Sequence, residues 1–255
     1  MNLVLLGDPV EHSRSPAIHT AALAAAGIEG SYQARKVDRS GLVTAIAEVR
    51  YGRLDGGNVT MPHKEAAFES VDRVSETALR TGAVNTLVHR QGMAFGDNTD
   101  VAGILTIWGD AGLSMKAPVL VLGSGGAAAA ALVALAEHNL HIAARRAAGA
   151  AALLERTRVD GDVVEWGTGI DGAIVVNATP IGMEGEALPD ATLAHASGLV
   201  DLPYGLQPTP AVSELGGHGL PVADGRDMLL AQAAVSFELW TGVVAPMDAM
   251  RRAAR

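Results

Sequence analysis

The stretch from Ala117 to Ala136, APVLVLGSGGAAAAALVALA, leaves few folds open to this chain. Four aliphatic residues, Val119 to Leu122, break at a glycine turn and pass straight into an alanine-rich helix. Gly123, Gly125 and Gly126 carry no Cβ, so the backbone can turn sharply there and an anion can approach the N–H groups at the helix start. Gly123, Gly125 and Ala128 fit the G-x-G-x-x-A spacing of a dinucleotide-binding βα turn, in which the third small residue lets the helix pack close to its strand. A plain turn could use the same glycines; the strand before them and the helix after them favour a nucleotide site. A dinucleotide fold normally opens with this unit. Here it begins at residue 117 of 255, so another domain comes first.

Composition narrows the class of partner. The chain is 49% hydrophobic and 18% charged with 30 glycines, a balance suited to α/β folds with many βα turns. Its formal charge of -9, with no run of basic residues, argues against a nucleic-acid partner. Cysteine is absent, which removes disulfide and thiolate chemistry and fits a reducing cytoplasm. The opening MNLVLLGDPVEHS has neither a positive flank nor a long apolar core and reads as a first strand, not a signal peptide. No uninterrupted apolar stretch approaches the roughly 20 residues that span a bilayer, so no membrane partner is expected. Of eight histidines only His138 and His141 have ligand-like spacing, and no carboxylate cluster supports them, so no metal is expected.

Ahead of the glycine turn, strand and helix alternate. Asn2 to Leu6 reads as a strand, followed by the polar turn GDPVEHSRSP and a helix at Pro16, a residue suited to the first helical turn. Ser15 then falls at the N-cap. Capping alone would account for it, but with Ser13 it also forms a pair of hydroxyls that could join the helix N–H groups around a small carboxylate. A strand from Tyr32 to Val37, a helix from Ser40 to Arg50 and a strand from Leu54 to Val59 continue the alternation. The next helix, in NVTMPHKEAAF, is expected to begin at Pro62 with Lys64 in its first turn. Lys64 is either a solvated surface lysine or an ammonium set against the positive helix end, where proton transfer is easier. Two short strands follow within 82–88 and 92–96, the first interrupted by Asn85. Asp100 then precedes a helix from Val101 to Ala111 whose apolar face is Val101, Ile104, Leu105 and Trp108. It can serve as N-cap or as a carboxylate partner for Lys64. Gly112 to Lys116 ends that helix.

Beyond the glycine turn, the strand Leu140 to Ala144 ends in Arg145 and Arg146, where an NAD site would place Asp or Glu for the ribose hydroxyls. Two guanidiniums suit a 2′-phosphate, so NADP is favoured over NAD; a basic helix start on the surface is the other reading. Strands at Ala173 to Asn177 and Leu199 to Asp201 end in the turn-rich segments NATPIG and DLPYGLQPTP, and such carboxyl-end loops are where open parallel sheets bind ligands. The last long helix, Arg226 to Thr241, carries Met228, Leu229, Ala233 and Phe237 on one face with Gln232 among them. A helix from Pro246 to Ala254 completes the chain.

Taken together, HSRSP (12–16), NVTMPHK (58–64), GAVNT (82–86), GDNTDVAG (96–103), GSGGAA (123–128), NATPIGM (177–183) and GRDMLLAQAAVSFELWTG (225–242) resemble the shikimate dehydrogenase family over nearly the whole chain. The resemblance implies an N-terminal α/β substrate domain (1–101), a C-terminal Rossmann-type doubly wound parallel sheet (102–225) and terminal helices (226–255) that return to the first domain. It implies reversible hydride transfer between NADPH and the ketone of 3-dehydroshikimate, in the cytoplasm, by a monomer or homodimer. Matched position by position, Lys64 is the acid/base and Asp100 its partner. Ser13 and Ser15 would hold the substrate carboxylate, with Tyr204 beside it, and Thr60, Asn85, Asp100 and Gln232 the ring hydroxyls. Gly123, Ser124, Gly125, Gly126, Ala127 and Thr179 would hold the cofactor, Arg145 and Arg146 its 2′-phosphate, and Leu202, Gly225 and Met228 would line the nicotinamide. The chain departs from the family where Ala144 precedes the arginines and where Gly149 stands in place of a frequent basic residue. A quinate or aminoshikimate dehydrogenase, a methylenetetrahydrofolate dehydrogenase and a non-catalytic NADP-sensing protein are the alternatives. The serine pair suits a small carboxylate better than a folate, and a sensor has no use for a proton relay.

Overall fold

The computed structural model describes residues 1–205 and 207–254. The chain divides into two units, Met1–Thr99 with Leu229–Arg255, and Asp100–Met228. Each contains one six-stranded sheet, in keeping with the α/β class expected from the alternation of strands and helices.

The first unit runs through β1 (Asn2–Gly7), α1 (Ser15–Ala25), β2 (Ser31–Lys36), α2 (Arg39–Arg50), β3 (Gly56–Val59), α3 (Lys64–Ser70), β4 (Arg73–Val74), α4 (Glu76–Thr81), β5 (Thr86–Arg90) and β6 (Met93–Asp97). The strands pair in the order β2-β1-β3-β5-β6-β4. β1, β2 and β3 are parallel, and β5 runs antiparallel to both β3 and β6. β1 is covered on both faces, which is why NLVLLG reads as an unbroken apolar run. Val4 and Leu6 pack with Leu42, Ile46 and Val49 of α2, while Leu3 and Leu5, pointing the other way, are buried as deeply. Asp38 caps α2 by accepting from the Gly41 N–H at 2.8 Å.

Several boundaries move, each for a local reason. α1 begins at Ser15 with Arg14 at its N-cap and no side-chain cap, so Ser15 is a helical residue and not the cap. α3 begins at Lys64 because the His63 N–H donates to the Thr60 carbonyl at 3.0 Å, closing a turn that takes in Pro62. The helix expected from Val101, α5 (Thr99–Asp110), begins earlier: Asn85 Oδ1 accepts from the Thr99 N–H at 2.8 Å. Asp100 therefore lies inside the first turn. The buried stripe of α5 is Val101, Ile104, Ile107 and Trp108, and Leu105 is 48% exposed. Its place i+4 from Val101 puts it at the stripe's edge.

The second unit runs through β7 (Val119–Leu122), α6 (Gly126–Ala134), β8 (Leu140–Ala143), α7 (Ala147–Thr157), β9 (Asp162–Val163), β10 (Ile174–Asn177), α8 (Asp190–Leu193), β11 (Gly198–Asp201), α9 (Pro210–Gly217) and β12 (Val222–Ala223). Its sheet is parallel throughout, in the order β12-β11-β10-β7-β8-β9. The chain starts in the middle at β7, winds out to β9, and returns to β10 on the other side of β7. That reversal between β7 and β10 is the switch point of a doubly wound Rossmann sheet. The core lies between strands buried on both faces, as the runs VLVL and IVVN lead one to expect.

Two further helices close the chain, α10 (Gly225–Thr241) and α11 (Met247–Ala253). From Leu229 on they belong with the first sheet, where α11 lies against α1. Trp240 Nε1 donates to the Leu87 carbonyl at 2.8 Å. The approach needs Gly56, where a Cβ would stand 2.6 Å from that indole nitrogen.

The same region buries His19 completely, stacked on Tyr32 at 4.5 Å and edge-on to Trp240 at 5.0 Å, with no hydrogen-bond partner on either ring nitrogen. Burial pushes its pKa down from 6.5 to about 3. The unfolded chain therefore takes up a proton below pH 6.5 that the folded chain refuses until about pH 3, so stability falls as pH falls through that window. Replacing His19 with Leu, close in volume and without a titrating group, should flatten this acid limb. Urea unfolding at pH 7 and pH 4.5 should show the variant losing about 2 kcal/mol less than the parent chain between the two conditions. An equal loss in both would mean that His19 protonates without opening the fold.

Candidate active site

Strand direction gathers the first group of residues. β5 runs antiparallel to β3 with Thr86 opposite Asn58, so the start of β5 meets the carboxyl end of β3. Here the Val59 N–H donates to the Asn85 carbonyl at 2.8 Å, the Thr60 N–H to Leu6 at 2.8 Å and the Asn85 N–H to Asp97 at 3.0 Å. The Val84 N–H donates to the Lys64 carbonyl at 2.9 Å, which ties the start of α3 to the same edge. Thr60, Lys64 and Asn85 are thus brought together by backbone ladders. The loop after β1 supplies Ser13 and Ser15, joined by a bond from the Ser15 N–H to Ser13 Oγ at 3.2 Å. Ser15 is buried and Ser13 half-buried.

Asn85 is held by its neighbours. Its Oδ1 accepts from Thr99, its Nδ2 donates to Thr99 Oγ1 at 3.0 Å, and Thr86 Oγ1 lies 2.9 Å from Oδ1. Behind it stands a buried cluster in which Asn58 Nδ2 reaches the Asn85 carbonyl, Thr86 and Ser236, each at 3.1 Å. Ser236 donates to the Gln232 carbonyl at 3.0 Å, and the Gln232 Nε2 bonds back to Leu229 at 2.9 Å. The cluster therefore fixes the turn of α10 that carries Gln232. Asp97 accepts from Ser75 at 2.5 Å, Thr77 at 2.8 Å and the Asn98 N–H at 2.7 Å, while Asn98 donates to Thr81 and to Ala83. These bonds fix the segment that leads into Asp100, itself buried in the first turn of α5.

Asn58, Thr86, Asp97, Asn98, Thr99 and Ser236 were not singled out by sequence reasoning. The signal was there in part: the run DNTD places four polar residues before a helix, and only Asp100 was given a role. Ser236 sits on the apolar face of a long helix, where a serine has no bland explanation but also no visible partner until the sheet is in place.

In the second unit the glycine turn sits at the switch point. Gly123 has φ +120°, and a Cβ there would stand 2.8 Å from the Ala178 carbonyl, so its absence is required by the chain itself. Gly125 differs: it is exposed, and a Cβ on it would meet nothing of the chain. It is the N-cap of α6, with no side-chain cap and no carboxylate in the first turn. A nine-residue helix thus opens without a side-chain cap, beside small residues Ser124, Gly126 and Ala127, a fit for a pyrophosphate. The Gly123 N–H donates to the Ala143 carbonyl at 2.9 Å, which brings the end of β8 alongside, and Arg145 and Arg146 follow it, both exposed. A Cβ at Gly149 would lie 3.0 Å from Ser124 Oγ, so a larger side chain there would crowd the turn.

The carboxyl edge next to it carries the other candidates. Thr179 Oγ1 donates to Asn177 Oδ1 at 2.6 Å, and the Leu202 N–H donates to the Asn177 carbonyl at 3.0 Å. Gly225 opens α10 against this loop, where a Cβ would stand 2.6 Å from the Pro203 carbonyl; Met228 is buried one turn on. Arg226 donates to the Gly205 carbonyl at 3.0 Å, next to Tyr204. At the base lies Asp201, fully buried. Burial pushes its carboxyl above the usual carboxylate range, by more than the donors from Thr209 and Asn177 bring it down. Among the described residues no three His, Asp or Glu side chains cluster so as to hold a metal ion.

The family model for the shikimate dehydrogenase substrate binding domain matches residues 5–87, and that for the shikimate 5'-dehydrogenase C-terminal domain matches residues 225–255. A shikimate dehydrogenase (NADP(+)) from Methanocella arvoryzae is 41% identical over 265 residues, covering 98% of this chain and 97% of the relative. One from Mesorhizobium japonicum is 39% identical over 97% of this chain and 92% of its own. The crystal structure of shikimate 5-dehydrogenase from Thermus thermophilus, in complex with NADP(H) and shikimate, superposes with a TM-score of 0.91 at 37% identity, covering 100% of this chain and 98% of that one. The Mycobacterium tuberculosis shikimate dehydrogenase gives 0.84 at 33% identity, over 99% and 98%. With two-fifths of its residues shared along almost its full length, the chain belongs to the shikimate dehydrogenase family.

Proposed function

We propose that this chain catalyses the reversible, NADPH-dependent reduction of the ketone of 3-dehydroshikimate to shikimate. The observation that carries the reading is the placement of Lys64 at the first residue of α3, on one sheet edge with Thr60 and Asn85, in a chain that belongs to this family. Ser13 and Ser15, at the start of an eleven-residue helix, would take the substrate carboxylate, where hydroxyl donors and the helix dipole favour an anion. Tyr204 would lie beside that carboxylate. Thr60, Asn85, Asp100 and Gln232 would bind the ring hydroxyls.

The open start of α6, with Gly123, Ser124, Gly125, Gly126 and Ala127, would hold the pyrophosphate of NADPH. Arg145 and Arg146 would pair with the 2′-phosphate, Thr179 would hold the cofactor, and Leu202, Gly225 and Met228 would line the nicotinamide. NADPH, when bound, supplies the hydride that the ketone carbon receives. Lys64, as the ammonium, donates its proton to the ketone oxygen as negative charge develops there. In shikimate oxidation the neutral amine takes the proton back from the hydroxyl. Asp100 would be the carboxylate that holds and orients this amine. Fixing both reactants in place supplies much of the remaining rate. We place the enzyme in the cytoplasm, acting on small molecules as a monomer or homodimer; no helix among the described residues is long and apolar enough to cross a membrane.

Lys64→Ala should lower kcat by roughly 10²-fold or more while leaving the Kd for NADPH unchanged. Absorbance of reduced nicotinamide with shikimate and NADP reads the first, and NADPH fluorescence titration the second. Near-normal turnover would remove Lys64 from the mechanism. The double variant Arg145→Ala, Arg146→Ala should lose at least about 10-fold of the preference for NADP over NAD, since each charge-assisted bond to a phosphate is worth that much. An unchanged kcat/KM ratio for the two cofactors would place the phosphate site elsewhere.

A further inference from the structure

Asp201 ends β11 and is fully buried, yet it ligates nothing assigned above. Its two oxygens serve two different loops. Oδ1 accepts from Asn177 Nδ2 at 2.7 Å, and Oδ2 accepts from the Thr209 hydroxyl. Asn177 is the hub of the loop after β10: its Oδ1 accepts from the Thr179 N–H at 3.1 Å and from the Thr179 hydroxyl at 2.6 Å, and its Nδ2 also donates to the Ile181 carbonyl at 3.0 Å. Thr209 is the N-cap of α9, accepting from the Val212 N–H at 3.2 Å. Its bond to Asp201 closes the loop that carries Leu202 and Tyr204.

We propose that Asp201 is a positioning residue for the cofactor side of the site, whose buried carboxylate holds the loops after β10 and β11 in one frame and so places Thr179, Leu202 and Tyr204. The inference rests on the roles given to those three residues under the proposed function. The chemistry of the donors explains why a carboxylate stands here. The Thr209 hydroxyl already accepts from Val212 and has its proton to give, and Asn177 offers an N–H, so residue 201 must present two acceptors at once. An amide offers only one. It would set an N–H against one of two donors and release one of the loops.

The test uses the full-length chain and three variants, Asp201→Asn, Thr209→Val and Thr209→Ser, each followed by NADPH fluorescence titration, shikimate oxidation and urea unfolding. Asp201→Asn and Thr209→Val should each raise the Kd for NADPH about 10-fold, the worth of one hydrogen bond to a buried charge. Thr209→Ser, which keeps the hydroxyl, should restore the parent Kd. If Asp201→Asn does not fold, the two Thr209 variants carry the comparison. Variants that unfold at lower urea but bind NADPH with the parent Kd would overturn the inference, leaving Asp201 a structural group only. A parent chain that binds NADPH but does not oxidise shikimate would sink the proposed function while the Kd comparison still judged Asp201. A parent chain that binds no NADPH would overturn both.

Discussion

Asn58 is an amide at 5% exposure in the middle of the first sheet, and the arrangement of the first unit depends on satisfying it. Its Oδ1 accepts from the Tyr32 hydroxyl at 2.8 Å, and its Nδ2 serves β5 and Ser236. An unmet polar group at this depth costs on the order of 1–3 kcal/mol, so the sheet and α10 can meet in only one register. A helix sliding along the sheet by one turn would lose every bond to Ser236 and the bond from Trp240 to the Leu87 carbonyl. A segment 178 residues downstream of Asn58 is thereby placed to within a hydrogen bond. Asn85 and Thr99, which share the cluster, are placed with it. Apolar burial brings α10 to the sheet, and the polar cluster decides where along the sheet it stops.

The two sheets prepare their edges by one device in two chemistries. In the first unit the cluster around Asn58 is built of amides and hydroxyls, and the Asp97 carboxylate ties down the strand end beside it. In the second it centres on the carboxylate of Asp201. The second edge has two donors from separate loops to satisfy at once. There a carboxylate costs more in desolvation and returns more in cross-linking.

Much of this was legible in the chain because parallel strands buried on both faces are written as unbroken aliphatic runs. LVLL, VLVL and IVVN announce their strands, and the glycine turn after VLVL announces the switch point. The strands of two residues, β4, β9 and β12, carry no such signature: RV, DV and VA become strands only because a longer neighbour offers them a ladder. Helix starts were misplaced for a related reason. Sequence reasoning looks for a cap within a few residues, but α5 is started by Asn85, fourteen residues upstream and across the sheet. Lys64 and Asp100 were each legible as residue types in a helix start, with bland and sharp readings open for both. What the sequence could not show is the second layer, Asn58 with Ser236 and Asp201 with Thr209, since those pairs are defined by strand register and not by spacing.

The glycines make the same distinction between what the fold needs and what a ligand needs. Gly56 and Gly123 are explained within the protein, one by the indole of Trp240 and the other by the Ala178 carbonyl. Gly125 is not, because the space above it is open. At the switch point of the sheet, that open space leaves room for a group to come close to the backbone from solution. The position of Gly125 at the N-cap of a helix with no carboxylate in the first turn gives that space a sign: an anion gains there from the helix-start N–H donors and the positive end of the helix together.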